Sequence, residues 1–209
     1  MRLGKHALVA LAAVGLSACS SLGGGEGFSS QYYTATPVRS VNVGNGAMAV
    51  TPPRPWNKQR RLFLDDVIWV EDWTLNGPLL DSLTFVTALP DKKNLVRQRT
   101  TDDRQVPMFR STMTIPEVTS MLESAYRVRA GAIDFKTLSL APRQFMGHLG
   151  FQYDYEHLDS DELWRKGRAV GAIVNGRLYL IMLDAARSHY YPDTLRDFEA
   201  LVASAQLRR

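Results

Sequence analysis

An Asn-Gly pair between two apolar segments limits the fold more than any other feature of the chain. Asn175-Gly176 joins residues 169–174 to residues 177–183, the most apolar strand-like segments in the sequence. A two-residue type I′ turn needs positive φ at both central positions, which Asn-Gly adopts readily. A slip of one residue would send every apolar side chain to the wrong face. We therefore predict an antiparallel hairpin at the centre of a sheet.

Further strands are predicted where apolar or aromatic residues alternate with polar residues between turn signals. The segments that share this pattern are residues 62–75, 83–89, 95–96, 135–140 and 149–157. Asn76-Gly77-Pro78 is expected to close the first segment, and the second and third are expected to pair as a hairpin. Pro142 is expected to stop the fourth, because proline has no N–H to donate to a neighbouring strand.

Two amphipathic helices are predicted, over residues 114–131 and 192–205. The first begins with Thr114-Ile115-Pro116-Glu117, which has the form of a capping box, and ends at Gly131, which suits a left-handed helix end. Both segments repeat apolar residues at helical spacing along one side. Strands from distant parts of the chain combined with two helices predict an α+β fold, with an antiparallel sheet flanked by helices.

The N-terminus has the three blocks of a secretory signal. Arg2 and Lys5 form a short basic segment, residues 7–16 are apolar apart from Gly15, and Leu16-Ser17-Ala18-Cys19 follows. The apolar run is shorter than the ~20 residues that a membrane-spanning helix needs. We therefore predict a signal peptide over residues 1–18, cut before Cys19.

Leu16-Ser17-Ala18-Cys19 also resembles the lipobox of bacterial lipoproteins. The resemblance implies a diacylglycerol on the Cys19 sulfur and an acyl chain on the new amino terminus, which together anchor a protein stably in a membrane. Ser20 follows rather than aspartate, which in enteric-type sorting implies the outer membrane, facing the periplasm. Cys19 is the one cysteine of the chain, so the domain has no intramolecular disulfide.

The composition changes near residue 56. Residues 20–55 are rich in Gly, Ser, Thr, Pro and Asn, which predicts that residues 19–55 form a lipidated cysteine and a flexible tether. Within it, residues 41–50 alternate weakly, as an edge strand would. The remaining residues, 56–209, are enough for one α+β domain with its own core.

The basic isoelectric point does not indicate a nucleic-acid partner. The pI is about 9.3, but the formal charge of +4 falls to +2 once Arg2 and Lys5 leave with the signal peptide. Nucleic-acid binding requires basic residues gathered on one face. The short basic clusters, such as Arg165-Lys166-Gly167-Arg168, have acidic residues close by in the sequence.

The order of elements near the C-terminus resembles the PsbP-like fold. The Asn-Gly hairpin continues into Arg177-Leu178-Tyr179-Leu180, and an aromatic-Pro linker then leads to a terminal helix. The segment Trp73-Thr74-Leu75-Asn76-Gly77-Pro78 is also similar to uncharacterised proteobacterial lipoproteins. The PsbP resemblance implies an antiparallel sheet flanked by helices, and it assigns no functional residue, since fold does not imply function.

One group of side chains has the chemistry of a metal or acid–base site: His148, Asp154, Glu156 and His157. On a strand the first three share a face, while His157 points to the opposite face with the tyrosines. His148 would lie ~20 Å from Asp154 along that strand. We therefore predict a solvated sheet face here. The sequence also contains no Gly-x-Ser-x-Gly and no His-Glu-x-x-His motif, and we predict no metal, cofactor or catalytic residue.

These observations favour a non-enzymatic module of the cell envelope that is held to a membrane by lipid on Cys19 and binds a protein or assists an assembly. Two alternatives stay open at this point. A carrier of a small apolar ligand would require a cavity between the sheet and the helices. An enzyme acting on envelope polymers would require carboxylates that converge in a cleft.

Overall fold

The computed structural model describes residues 32–60, 67–98 and 105–208, which form two antiparallel sheets and two helices. The strands are β1 (Tyr33–Ala35), β2 (Val41–Val43), β3 (Met48–Val50), β4 (Asn57–Gln59), β5 (Val70–Thr74), β6 (Asp81–Leu89), β7 (Asp134–Phe145), β8 (His148–Leu158), β9 (Trp164–Val174), β10 (Arg177–Ala186) and β11 (Gln206–Leu207). The helices are α1 (Ile115–Arg129) and α2 (Tyr190–Ser204). The eight-stranded sheet has the order β1-β4-β5-β6-β10-β9-β8-β7, and the three-stranded sheet the order β11-β3-β2.

The predicted hairpin lies at the centre of the large sheet. Asn175 and Gly176 have φ of 51° and 71°, as a type I′ turn requires. The pairing runs from Arg177 opposite Val174 to Ala186 opposite Arg165, and β6 covers the other side of β10. Because β10 is paired on both sides, almost all of its residues are buried.

The two helices pack on opposite faces of the large sheet and close two hydrophobic cores. On one face α1 buries Val118, Met121 and Leu122 against aromatic residues of β8. On the other face α2 and the small sheet bury Phe198 and Leu201 against residues that include Trp73 and Phe85. The predicted α+β architecture is therefore confirmed, and the sheet separates two cores that share no side chains.

The N-terminus of α1 shows how its sequence fixes its first turn. Glu117 accepts hydrogen bonds from the Thr114 N–H at 2.6 Å and from the Thr114 hydroxyl at 2.8 Å. Pro116 lies in the first turn, where its missing N–H has no intrahelical partner to lose. The predicted capping segment therefore does begin the helix.

The predicted tether is wrong for residues 32–55. This segment contributes β1 to the large sheet and β2 and β3 to the small sheet, and Val43, Met48 and Val50 are almost completely buried. These apolar residues pack beneath α2, and β3 pairs with β11 at the far end of the sequence. Composition does not reveal this arrangement, because the strands are only three residues long and the Gly, Asn and Pro residues between them make the average composition of the segment polar. The folded unit therefore begins before residue 56.

Two details of the predicted strands are also wrong. Residues 95–96 do not pair with β6, whose neighbours are β5 and β10; Leu95 instead packs in the α1 core. Pro142 does not stop β7, which continues to Phe145. Since β7 is the edge strand of the sheet, the missing N–H of Pro142 can face away from the neighbouring strand.

The predicted signal peptide, Cys19 and residues 20–31 lie outside the described residues, as does the first part of the predicted strand over residues 62–75. Among the described residues, no helix is long and apolar enough to cross a membrane.

Candidate functional site

One end of the large sheet gathers basic side chains that form no close ion pair with an acid among the described residues. It is the end at which β6 and β9 finish and β10 begins. We call it the basic end and define it by five exposed residues: Lys92, Lys93, Arg110, Arg177 and Arg208. None of the five makes an ion pair or a side-chain hydrogen bond within the part of the chain that the structure describes.

A cleft of about 770 Å³ opens at the basic end. It lies between the β2–β3 turn, the β9–β10 hairpin and the C-terminal strand. The guanidinium-bearing residues Arg177 and Arg208 are exposed at the cleft, while Ala88, Val174 and Tyr179 are buried beside it. The remaining lining residues are Asn45, Gly46, Ala47, Asn175 and Leu207.

The β2–β3 turn forms one wall of the cleft and is tied to the sheet by hydrogen bonds. The Asn45 N–H donates to the Thr87 hydroxyl at 3.1 Å, and that hydroxyl donates to the Asn45 side-chain oxygen at 2.9 Å. Gly44 has φ of +60°, and a Cβ there would lie 2.0 Å from the Thr87 oxygen. Only glycine therefore allows this close approach of the turn to β6.

A buried carboxylate holds the same turn from below. Glu71 accepts hydrogen bonds from the Gly44 N–H at 3.0 Å, from Lys58 Nζ at 2.8 Å and from the Trp73 indole N–H at 2.8 Å. The opposite wall is fixed by the Arg208 N–H, which donates to the Ala47 carbonyl at 2.9 Å. The backbone around the cleft is therefore held in place without help from the two arginine side chains.

The electrostatics of the basic end favour a negatively charged ligand group. Burial raises the pKa of Tyr179 against the opposing effect of Arg177, so its phenol is neutral at pH 7. The nearby acid, Asp91, accepts a hydrogen bond from the Ser111 N–H at 2.8 Å, and this bond chiefly lowers the Asp91 pKa. Two arginines beside an apolar floor suit an amphipathic molecule that carries a phosphate or carboxylate.

The structure does not bring together the four residues considered above as a metal or acid–base site. His148 is exposed at the start of β8, whereas Asp154 is buried and binds Arg168 at 2.5 Å. The prediction of a solvated sheet face is therefore wrong at Asp154. Glu156 lies 3.5 Å from Arg187. His157 points to the other face and stacks on Phe135, as the alternation of β8 predicts.

His157 instead belongs to a buried charge cluster at the end of the sheet opposite the cleft. Its Nε2 is 2.8 Å from Asp184, and its Nδ1 forms an ion pair at 2.8 Å with Asp159, although that contact is poorly aligned for a hydrogen bond. Arg165 binds the second oxygen of Asp184 and donates to the Leu79 carbonyl at 2.7 Å. Two cations and two carboxylates thus join β8, β9 and β10 to the loop before β6.

The pKa values in this cluster favour the fully charged state. Burial lowers the pKa of His157, but its contacts with Asp159 and Asp184 outweigh burial and raise the pKa to about 9. Burial likewise opposes ionisation of Asp184, and the His157 and Arg165 contacts leave its pKa below the usual range. Because the His157 ring has no exposed surface, a substrate has no access to it. The cluster stabilises the fold.

Neither the cleft at the basic end nor the buried charge cluster was identified from the sequence. The sequence does, however, carry a signal for the buried charge cluster. Asp184 is the one carboxylate in β10, whose other residues after Arg177 are apolar or aromatic, and the alternation of β8 places His157 on a buried face. Buried charges need partners, so this pair was open to prediction. The cleft has no such signal, since its lining comes from positions as distant as 45, 88, 177 and 208.

The chain matches no family model, and no curated protein matches it by sequence. Its fold is similar to that of the PsbP protein of Synechocystis sp. PCC 6803, with 15% identity, a TM-score of 0.54, and coverage of 88% of this chain and 96% of that one. This similarity confirms the PsbP-like fold that the hairpin and terminal helix predict, and with such low identity it says nothing about activity.

Two further solved structures are similar over most of their length. The Ran-binding protein Mog1p of Saccharomyces cerevisiae has 8% identity and a TM-score of 0.48, with 84% of this chain and 96% of that chain covered. LpqN of Mycobacterium tuberculosis, a protein involved in cell envelope biogenesis, has 11% identity and a TM-score of 0.40, with 85% and 92% covered. Neither similarity is close enough to carry a functional assignment.

Proposed function

We propose that this chain is a lipid-anchored, non-enzymatic binding module of the bacterial cell envelope, and that the cleft at the basic end is its binding site. The cleft carries the proposal. Its walls are held by backbone and buried side chains, while Arg177 and Arg208 have no partner among the described residues and remain free for a ligand. The cell-envelope location rests on the lipobox resemblance around Cys19.

The residues that line the cleft favour binding over catalysis. Among the described residues they include no histidine, cysteine, serine or carboxylate, so this lining offers neither a nucleophile nor a general base of the usual kinds. The buried histidine, His157, is held between two carboxylates away from solvent. An enzyme acting on envelope polymers would need such groups in an accessible cleft.

Packing disfavours the alternative of a carrier that stores an apolar ligand between sheet and helices. Large side chains with almost no exposed surface fill both layers, among them Trp56, Trp73, Tyr153, Phe85 and Phe198. A ligand the size of one of these side chains would have to displace part of a core. The open cleft at the end of the sheet is the more accessible site.

Acyl labelling tests the anchor on which the proposal depends. Cells expressing the full chain should incorporate labelled palmitate into it, and Cys19→Ser should abolish the labelling, because the thioether forms on that sulfur. Ser17→Thr, a small polar change beside the same cleavage site, serves as the matched control and should still be labelled. Labelling of the Cys19→Ser chain would refute the lipid anchor.

A further inference from the structure

We infer that the basic end faces the membrane and that the cleft between Arg177 and Arg208 takes the phosphate of anionic phospholipid headgroups. The inference deepens the proposed function and rests on it, since a lipid anchor at Cys19 would hold the domain beside a membrane. Two features of the basic end support it: the positive charge that has no ion-pair partner there, and the apolar side chains exposed beside that charge.

The chain enters the folded domain at the outer edge of the large sheet, level with the interior of β10. The register of paired residues runs across the sheet from Thr34 to Lys58, Trp73, Leu83 and Leu183. Since Leu183 lies past the middle of β10, the point of entry does not decide which end of the sheet faces the membrane.

The segment that leads to Cys19 is long enough for either end of the sheet to face the membrane. Twelve residues separate Cys19 from Tyr32, and fully extended they span about 40 Å. The ten residues of β10 measure the sheet from end to end as roughly 33 Å. The orientation therefore rests on the charge of the basic end and on the apolar side chains exposed beside it.

The charge distribution differs between the two ends of the sheet. At the opposite end, Arg165 and His157 are paired with Asp159 and Asp184, and the buried cluster is neutral overall. At the basic end, five exposed basic residues are accompanied by Asp91 and Glu117, whose oxygens are bound to Ser111 and Thr114. The excess of positive charge attracts an anionic lipid surface, by ~1 kcal/mol for each basic residue close to the headgroups, about fivefold in affinity.

Apolar side chains are exposed beside these charges. Ile68, which precedes β5, has an exposed fraction of 53%. Met108, at 44%, is next to Phe109, whose backbone pairs with Lys93. Exposed apolar residues among basic ones are typical of surfaces that enter the interfacial layer of a membrane.

Vesicle sedimentation tests the inference on a chain that carries no lipid. The protein is residues 19–209 with Cys19→Ser, which retains every described strand and helix. We expect it to bind vesicles of phosphatidylcholine with one quarter phosphatidylglycerol, to bind pure phosphatidylcholine at least tenfold more weakly, and to dissociate in 0.5 M salt. All three follow if the attraction is between unpaired basic residues and anionic headgroups.

A charge-matched pair of double variants locates the surface. Arg177→Glu with Arg208→Glu should weaken binding to the anionic vesicles by roughly tenfold or more. Arg39→Glu with Arg196→Glu makes the same change of net charge at exposed positions away from the basic end, and should alter binding less than threefold. Circular dichroism checks that both variants fold.

Three results would overturn the inference. They are equal binding to the two kinds of vesicle, equal weakening by the two double variants, and binding of inorganic phosphate or an acidic protein at the cleft without binding to vesicles. Because the tested chain lacks the acylated cysteine, none of these results bears on the palmitate labelling that tests the anchor. Failure of the orientation and failure of the proposed function can therefore be told apart.

Discussion

Deprotonation of His157 should destabilise the folded domain at mildly alkaline pH. The protonated ring lies between Asp159 and Asp184, with Arg165 beside them, so the buried cluster contains two positive and two negative charges. Loss of the proton leaves one carboxylate without a compensating charge in a largely buried cluster. Burial lowers the pKa of Arg165, but its charge interaction and hydrogen bond with Asp184 outweigh burial and raise that pKa, so Arg165 stays charged throughout.

The size of the effect follows from the difference between the folded and unfolded states. The pKa of His157 is about 9 in the folded protein, against 6.5 for an unperturbed histidine. At about 1.4 kcal/mol for each pH unit of difference, the bound proton stabilises the fold by about 3 kcal/mol. Because the folded state holds the proton more tightly, this contribution is complete below pH 6.5 and is lost as the pH rises to about 9.

Urea unfolding of the Cys19→Ser chain at pH 6.5 and pH 9 measures this loss. The free energy of unfolding should fall by about 3 kcal/mol between the two values. In His157→Gln the fall should disappear, although the variant is less stable at pH 6.5 because both carboxylates lose a cationic partner. His148→Gln changes an exposed histidine and should keep the fall. A His157→Gln variant with the same pH dependence as the parent chain would refute the assignment of the effect to this cluster.

Two glycines test the sheet itself. Gly176→Val should lower the free energy of unfolding by roughly 1–3 kcal/mol, since a β-branched residue does not tolerate φ of +71°. As a control, Ser188→Ala at an exposed position should change the free energy of unfolding by less than about 0.5 kcal/mol. Equal denaturant midpoints for the two variants would contradict the tight hairpin. Gly167→Ala should destabilise by roughly 1–3 kcal/mol, because a Cβ there would lie 2.1 Å from the Tyr155 ring. An unchanged melting temperature would show that this ring can move aside.

Local signals in the sequence account for the elements that were predicted well. The Asn175-Gly176 turn and the Thr114–Glu117 cap each act within a few residues, and the structure has both. The alternation along β8 likewise places Tyr153, Tyr155 and His157 on one buried face. Each of these features depends on backbone preferences or periodicity, which a single sequence displays directly.

Long-range pairing accounts for what could not be predicted. Residues 41–50 have the composition of a tether because the elements that order them lie more than 140 residues later in the chain. These elements are β11, which pairs with β3, and the apolar side of α2, which packs on the small sheet. The cleft depends on the same arrangement, since Asn45 and Arg208 become neighbours through the small sheet. In the sequence, a strand and a helix lie between Arg177 and Arg208, and nothing indicates that the two arginines line the same cleft.

The contrast between the two ends of the sheet is the reason to assign function to the basic end. At the opposite end, each charge of the buried cluster is held by a partner, and removing one partner leaves a buried charge unpaired. At the basic end, Arg177 and Arg208 make no ion pair or side-chain hydrogen bond with the described residues. Arg177→Glu with Arg208→Glu should therefore leave the denaturant midpoint unchanged. That result would be explained by a ligand that supplies the missing negative charge, since the walls of the cleft are fixed without these two side chains.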